Sequence, residues 1–266
     1  MGGDPIVNLF PDKQLVGRRF GRSLHTYRRN AVIQRKMAAE LVDMIDRAGM
    51  PAHIGRLLEV GAGSGMLTST LLSTHTAGAY FANDLVAGSR DFVMQALEGH
   101  EVGECRFLHG DIESIDPLPG ELDLVVSNAT VQWLHDLGAF FDRMGTSLRP
   151  GGLLAFSTFG MGNMKEIARL ESVSLPYLAT AEIVALAGES FEPVSIEEEE
   201  RRLEFASPEA VLRHIRETGV NGLAGVPWTR VRYEHFLSRY RASFSTGNGV
   251  TLTYHPVYCC FRRRRL

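Results

Sequence analysis

The chain has 266 residues, of which 44% are hydrophobic and 22% charged, enough apolar side chain for the buried core of one enzyme-sized unit. Its 28 basic and 31 acidic side chains leave a formal charge of −3, which gives no global attraction to a nucleic-acid backbone. The three cysteines, Cys105, Cys259 and Cys260, show neither CxxC nor Cys/His metal spacing, so neither a disulfide framework nor a metal site is indicated.

Met1–Phe10 lacks a basic region followed by an apolar run, and no stretch approaches the roughly 18 apolar residues that span a bilayer. A cytoplasmic protein without a membrane partner is expected. Residues 13–50 carry Val32, Met37, Leu41, Met44 and Ile45 at helical spacing and stop at Gly49 and Pro51, which predicts a pair of helices. Short apolar runs then alternate with helical stretches: Arg56–Val60, Ala79–Asn83, Cys105–His109, Asp123–Asn128 and Gly152–Thr158 read as buried strands. This alternation implies a parallel sheet with right-handed crossovers.

Helices are expected around Lys165–Ser172 and Thr180–Gly188, followed by one charged, alternating strand over Ser195–Phe205. Within it, Glu197–Glu200 and Arg201-Arg202 suit the wet side of an edge strand, where charge blunts further pairing. Ser207-Pro208 supplies an N-cap and a first helical residue, and a second helix is expected over Arg230–Phe244. Gly247-Asn248-Gly249 turns the chain into a final strand, Val250–Phe261, which can close the sheet with the preceding one as an antiparallel, hairpin-like edge. Cys259 and Cys260 fall on its opposite faces, and Arg262 to Arg265 read as a mobile tail without a role. Arg213, Arg216, Arg230, Arg232, Arg239 and Arg241 either steer an acidic partner or form solvated helix faces.

Glu59-Val60-Gly61-Ala62-Gly63-Ser64-Gly65 lies where the first core strand gives way to a helix, the place at which a doubly wound sheet binds nucleotides. A nicotinamide fingerprint wants its third glycine at position 66, which is Met66. Glu59 discriminates further, because a carboxylate 4 Å from a pyrophosphate is repelled by about 4 kcal/mol at an effective dielectric near 20. The same carboxylate attracts an ammonium or a sulfonium. Asp84 closes the second strand, where it can accept from ribose hydroxyls; Asp111 follows the third strand and can accept from an adenine amino group, with Ile112 against the ring. Gly61, Gly63, Gly65, Glu59, Asp84, Asp111, Ile112 and, after the fourth strand, Asn128 are therefore the expected S-adenosylmethionine-binding residues.

In this order the motifs resemble the class I S-adenosylmethionine-dependent methyltransferases, a Rossmann-like α/β fold whose seven-stranded, mostly parallel sheet has its last strand antiparallel. Phe20-Gly21-Arg22, Tyr27, Ala31 and Gln34, then Gly110–Glu113, Ser127–Trp133, Leu148–Gly152 and Leu252–His255, are similar to one family within that class. It is the malonyl-[acyl-carrier protein] O-methyltransferases of biotin synthesis. The resemblance runs from about residue 13 to residue 261; Glu59 and Asn83 depart from it, and the stretch between Ser174 and Ser207 matches loosely, which leaves the acceptor's chain length open.

The resemblance implies a helical lid over residues 1–50, a cofactor-binding core over 51–160, and substrate-roof helices with the closing strands over 161–266. It implies a monomer that methylates the free carboxylate of a malonyl thioester, on acyl carrier protein or coenzyme A, so that the ester primes pimeloyl formation. A carboxylate needs no general base, so Tyr27 and Tyr177 are expected to orient it, while Arg22 either recognises it at a distance or pairs with an acid on the lid. Gln132 and Trp133 are expected to line the acceptor entrance, and Trp133 suits core packing equally well. The rival readings are a methyltransferase of another small carboxylic acid and a methyltransferase-like protein that binds without catalysis.

Overall fold

The structure is a computed structural model that describes residues 6–218 and 228–265. Its elements, in chain order, are β1 (Val7–Asn8), α1 (Lys13–Asn30), α2 (Val32–Arg47), β2 (His53–Val60), α3 (Met66–Leu72), β3 (Thr76–Asp84), α4 (Ser89–Leu97), β4 (Val102–His109) and β5 (Leu122–Asn128). A 3-10 turn (Val131–Trp133), α5 (Leu137–Ser147), β6 (Leu148–Phe159), α6 (Lys165–Glu171), β7 (Val173–Ser174), α7 (Thr180–Leu186) and β8 (Phe191–Glu198) follow. The series ends with β9 (Arg201–Phe205), α8 (Pro208–Glu217), α9 (Arg230–Phe244), β10 (Val250–Tyr254) and β11 (Pro256–Arg263).

Seven strands form one sheet in the order β4-β3-β2-β5-β6-β11-β8. The first five are mutually parallel, and β11 runs antiparallel between β6 and β8. This is the parallel α/β sheet that the alternation of strands and helices predicts, with the antiparallel final strand that the resemblance to class I methyltransferases implies. Helix α2 explains one covered face: Ile33, Met37, Leu41, Met44 and Ile45 recur at helical spacing and are all buried against Leu57, Tyr80 and Leu124 of the sheet. The other face buries Phe140, Phe141 and Met144 of α5 against Phe156 and Phe261. Cys260 joins the first layer and Cys259 the second, as the alternation along β11 requires.

The two late strands are each interrupted. Ser195–Phe205 splits into β8, paired with β11, and β9, which pairs antiparallel with β10 in a separate two-stranded sheet. The ladder breaks opposite His255, because the exit from β6 enters there: Gly160 N donates to the His255 carbonyl at 2.8 Å and Gly162 N to the ring Nδ1 at 3.0 Å. Arg262 to Arg264 also differ from a mobile tail. Arg262 donates to the Gly151 and Ala48 carbonyls at 3.1 and 2.8 Å, Arg263 to the Leu148 carbonyl, and Arg264 to the Phe191 carbonyl at 3.2 Å. They tie the end of β11 to its neighbours.

Among the described residues no helix is long and apolar enough to cross a membrane. Most of the arginines on α8 and α9 have local partners: Arg230 with Glu234, Arg232 with Glu171, Arg241 with Glu209, and Arg239 with the Leu170 carbonyl. Arg213 and Arg216 lie exposed on α8.

Candidate functional site

The carboxyl ends of β2, β3 and β5 open into one cavity roofed by α1 and the start of α2. Its floor is the turn from β2 to α3, where Gly61, Gly63 and Gly65 all have positive φ. At Gly61 (φ 70°) a Cβ would lie 2.3 Å from the Thr130 hydroxyl, so side chains are barred by conformation and by space. Phe20 of α1 reaches down to Gly63 and stacks edge-on with Tyr27 at 5.1 Å, bringing α1 directly onto the loop.

Two acids line this cavity. Glu59 is 1% exposed and accepts from Thr68 Oγ1 at 2.6 Å and from the Tyr80 hydroxyl. Burial pushes its carboxyl up to about 7, against the pull of those hydrogen bonds. Asp84 accepts from Gly63 N and Val86 N, each at 2.7 Å, so one carboxylate braces the glycine loop to the turn after β3. Burial raises its pKa also, and the two amides oppose the rise. Among the described residues no lysine, arginine or histidine lines the cavity.

Asn128, Gln132 and Trp133 form the wall beyond β5. Asn128 Nδ2 donates to the Gln34 carbonyl at 3.0 Å and its Oδ1 accepts from Ser157 at 2.6 Å, fixing α2 to the strand end. Gln132 is pinned by donating to the Ala129 carbonyl at 2.6 Å and accepting from Thr158 at 3.4 Å. Gln132 and Phe159 also line a second, largely apolar cavity with Leu134, Leu178, Ile183 and Tyr177, so the two spaces meet at these residues.

Tyr27 lines the first cavity and Tyr177 the second. Burial, reinforced by Asp84, holds the Tyr27 hydroxyl far above its ordinary range, and burial pushes Tyr177 up to about 12. Both are neutral phenols at physiological pH. Tyr177 accepts from Asn163 Nδ2 at 2.8 Å, which leaves its own proton to donate. Tyr254, whose hydroxyl meets His214 Nε2 at 2.8 Å, feels both tyrosines and completes the group.

Three predicted residues are placed elsewhere. Asp111 grips Lys13 of α1 at 2.6 Å, with Glu113 on the same ammonium, and does not line the cavity. Burial alone would raise Glu113, yet Lys13 and the His135 and Asp136 amides hold it below the usual carboxylate value. Ile112 is buried in the sheet's second apolar layer. Arg22 is exposed on α1 and lines neither cavity. It stands two positions from Phe20, about 200° around the helix and so on its far side. Gln34, Phe20 and Thr130 do line the site, though sequence reasoning gave them no role; the seven-residue interval from Phe20 to Tyr27, two helical turns, was the available signal for the lid's inner face.

A methyltransferase domain family matches residues 58–156, which hold the glycine loop, both acids and the wall after β5. A malonyl-[acyl-carrier protein] O-methyltransferase of Prosthecochloris aestuarii is 53% identical over 252 residues, covering 95% of this chain and 94% of that protein. The chain belongs to the malonyl-[acyl-carrier protein] O-methyltransferase family. A second relative of that name, from Chlorobium luteolum, is 49% identical and covers 96% of this chain and 97% of its own. Membership makes the chain a methyltransferase.

Among solved structures, a putative methyltransferase of Bacillus halodurans is similar with a TM-score of 0.59 at 15% identity, over 85% of this chain and 99% of that one. The N-methyltransferase NodS of Bradyrhizobium japonicum, solved with S-adenosyl-L-homocysteine, has a TM-score of 0.50 at 15% identity over 87% of each chain. At those identities the likeness concerns the fold.

Proposed function

We propose that this chain transfers the methyl group of S-adenosylmethionine to the free carboxylate of a malonyl thioester carried by acyl carrier protein, giving the methyl ester that primes pimeloyl formation for biotin. The observation that carries this reading is the meeting of two unlike cavities at Gln132 and Phe159 in a chain of this family. One is acidic at the strand ends and fits a cationic cofactor; the other is apolar and fits an acyl thioester arm.

The cofactor supplies an electrophilic methyl on sulfonium sulfur. Glu59, once ionised, and Asp84 favour its positive charge, while the glycine loop lets the backbone approach closely. The acceptor carboxylate, with a pKa of about 4, is already a nucleophile at neutral pH, so the C–S bond breaks as the O–C bond forms and no proton moves. Tyr27 and Tyr177 orient it as neutral donors; a bidentate arginine would hold the ground state more tightly than the transition state, in which charge disappears. Phe159, buried where the two cavities meet, keeps water away from the reacting atoms, and positioning removes much of the entropic barrier. In this reading residues 1–50 act as a lid and 161–266 contribute the roof.

The test is transfer from methyl-labelled S-adenosylmethionine to malonyl carrier protein, with malonyl-coenzyme A and acetyl carrier protein in parallel, resolved by intact mass. Label is expected on the malonyl carrier and absent from the acetyl one. Label on free malonate alone, or on no thioester while the cofactor binds, overturns the acceptor assignment.

A further inference from the structure

Gln34 sits one turn into α2, 1% exposed, on the wall of the cofactor cavity. Its backbone carbonyl is taken by Asn128, yet its side-chain Nε2 is buried with no hydrogen-bond partner. A buried amide donor left unmet is costly, and natural cores rarely keep one without a use. The residue that carries this orphan donor lines a cavity whose described lining has two carboxyl groups and no basic side chain.

S-adenosylmethionine brings two cationic groups and one carboxylate into that space. The cations belong beside Glu59 and Asp84; the carboxylate needs a wall that offers N–H or O–H donors. We infer that the Gln34 amide is the donor that receives the carboxylate of the cofactor's amino-acid moiety. Ser64, 2% exposed in the glycine loop, carries the other unpartnered buried polar atom among the residues lining this cavity and serves the same end as a second donor. A neutral amide also explains how an anion is held without placing a fixed positive charge near the sulfonium, where it would oppose the cofactor.

The inference rests on the cofactor reading above, and the test separates the two. Binding of S-adenosylhomocysteine and of 5′-methylthioadenosine, which lacks the amino-acid moiety, is measured by titration calorimetry for the intact protein and for Gln34→Leu, alongside thermal unfolding of each without ligand. Gln34→Leu is expected to weaken S-adenosylhomocysteine about tenfold and 5′-methylthioadenosine less than about twofold, since a hydrogen bond to a charged group is lost on one ligand only. The ligand-free variant should melt no lower than the original, because an unmet buried donor has been removed. Parallel weakening of both ligands, or unchanged S-adenosylhomocysteine affinity, overturns the assignment. Failure of the unmodified protein to bind either ligand removes the cofactor reading itself, and this proposal with it.

Discussion

The two cavities that meet at Gln132 and Phe159 are built from different kinds of information. The cofactor side is assembled from strand ends and tight turns close together in sequence, with buried acids whose protonation is under tension: Glu59 at about 7 and Asp84 raised as well. The acceptor side is made by α5, α7 and the segment around Pro176–Leu178, and its polar groups include a neutral phenol and a pinned amide beside Thr158, His135 and Asp136. The difference teaches that substitutions on one side should register in cofactor affinity and on the other in acceptor use.

The largest expected effect is at Asp84. Asp84→Ala strips the acceptor from two backbone amides at 2.7 Å and loosens the glycine loop, so affinity for S-adenosylhomocysteine should fall by roughly 100-fold or more in a calorimetric titration. A change below threefold would show that the loop holds itself. The next concerns Glu59 and pH. Its folded pKa of about 7 lies above its ordinary 4.5, so the protonated form is favoured in the free protein, and its contribution to stability declines as pH rises from the lower value through the higher. Binding a cation favours the ionised form and releases a proton. Affinity for S-adenosylmethionine should therefore rise about tenfold from pH 6 to pH 8, and Glu59→Gln should flatten the profile. A wild-type profile that is already flat would place the carboxylate outside the cofactor's field. The smallest effect sharpens the other side: Tyr177→Phe should raise KM for the malonyl thioester about fivefold and leave S-adenosylhomocysteine affinity unchanged, as expected for one neutral hydrogen bond. Equal losses in both quantities would erase the division between the cavities.

What the sequence made legible follows the same division. Glu59, the three glycines and Asp84 are decided by a strand end, a turn and the next strand end, and each lies on the cofactor cavity's wall or floor or beside it. Local capping chemistry was equally readable: Ser207 caps α8 with Pro208 at its first position, and α9 spans Arg230–Phe244 as its spacing predicts. What the sequence left hidden comes from partners far away in the chain. Nothing near Asp111 in sequence announces Lys13, 98 residues earlier, whose ammonium it takes. The interruptions of the two late strands are set by Gly160 and Gly162 meeting His255, and the arginines after Phe261 gain order from carbonyls as distant as Ala48. Arg22 lies outside both cavities for a simpler reason, since its angle on α1 relative to Phe20 is calculable and points it outward.

The insertion of β11 between β6 and β8 also bears on how the chain reaches this state. More than a hundred residues separate Ala155 from Cys260, its partner across the ladder, so the sheet's interior is completed by an element that emerges from the ribosome after nearly everything it touches. Until then β6 presents a bare, apolar edge and β8 has no place to dock. A nascent chain can assemble β2 to β6 around the glycine loop early, but the other two strands of its seven-stranded sheet, β8 and β11, wait for the last long-range pairing, the slow and aggregation-exposed kind of step.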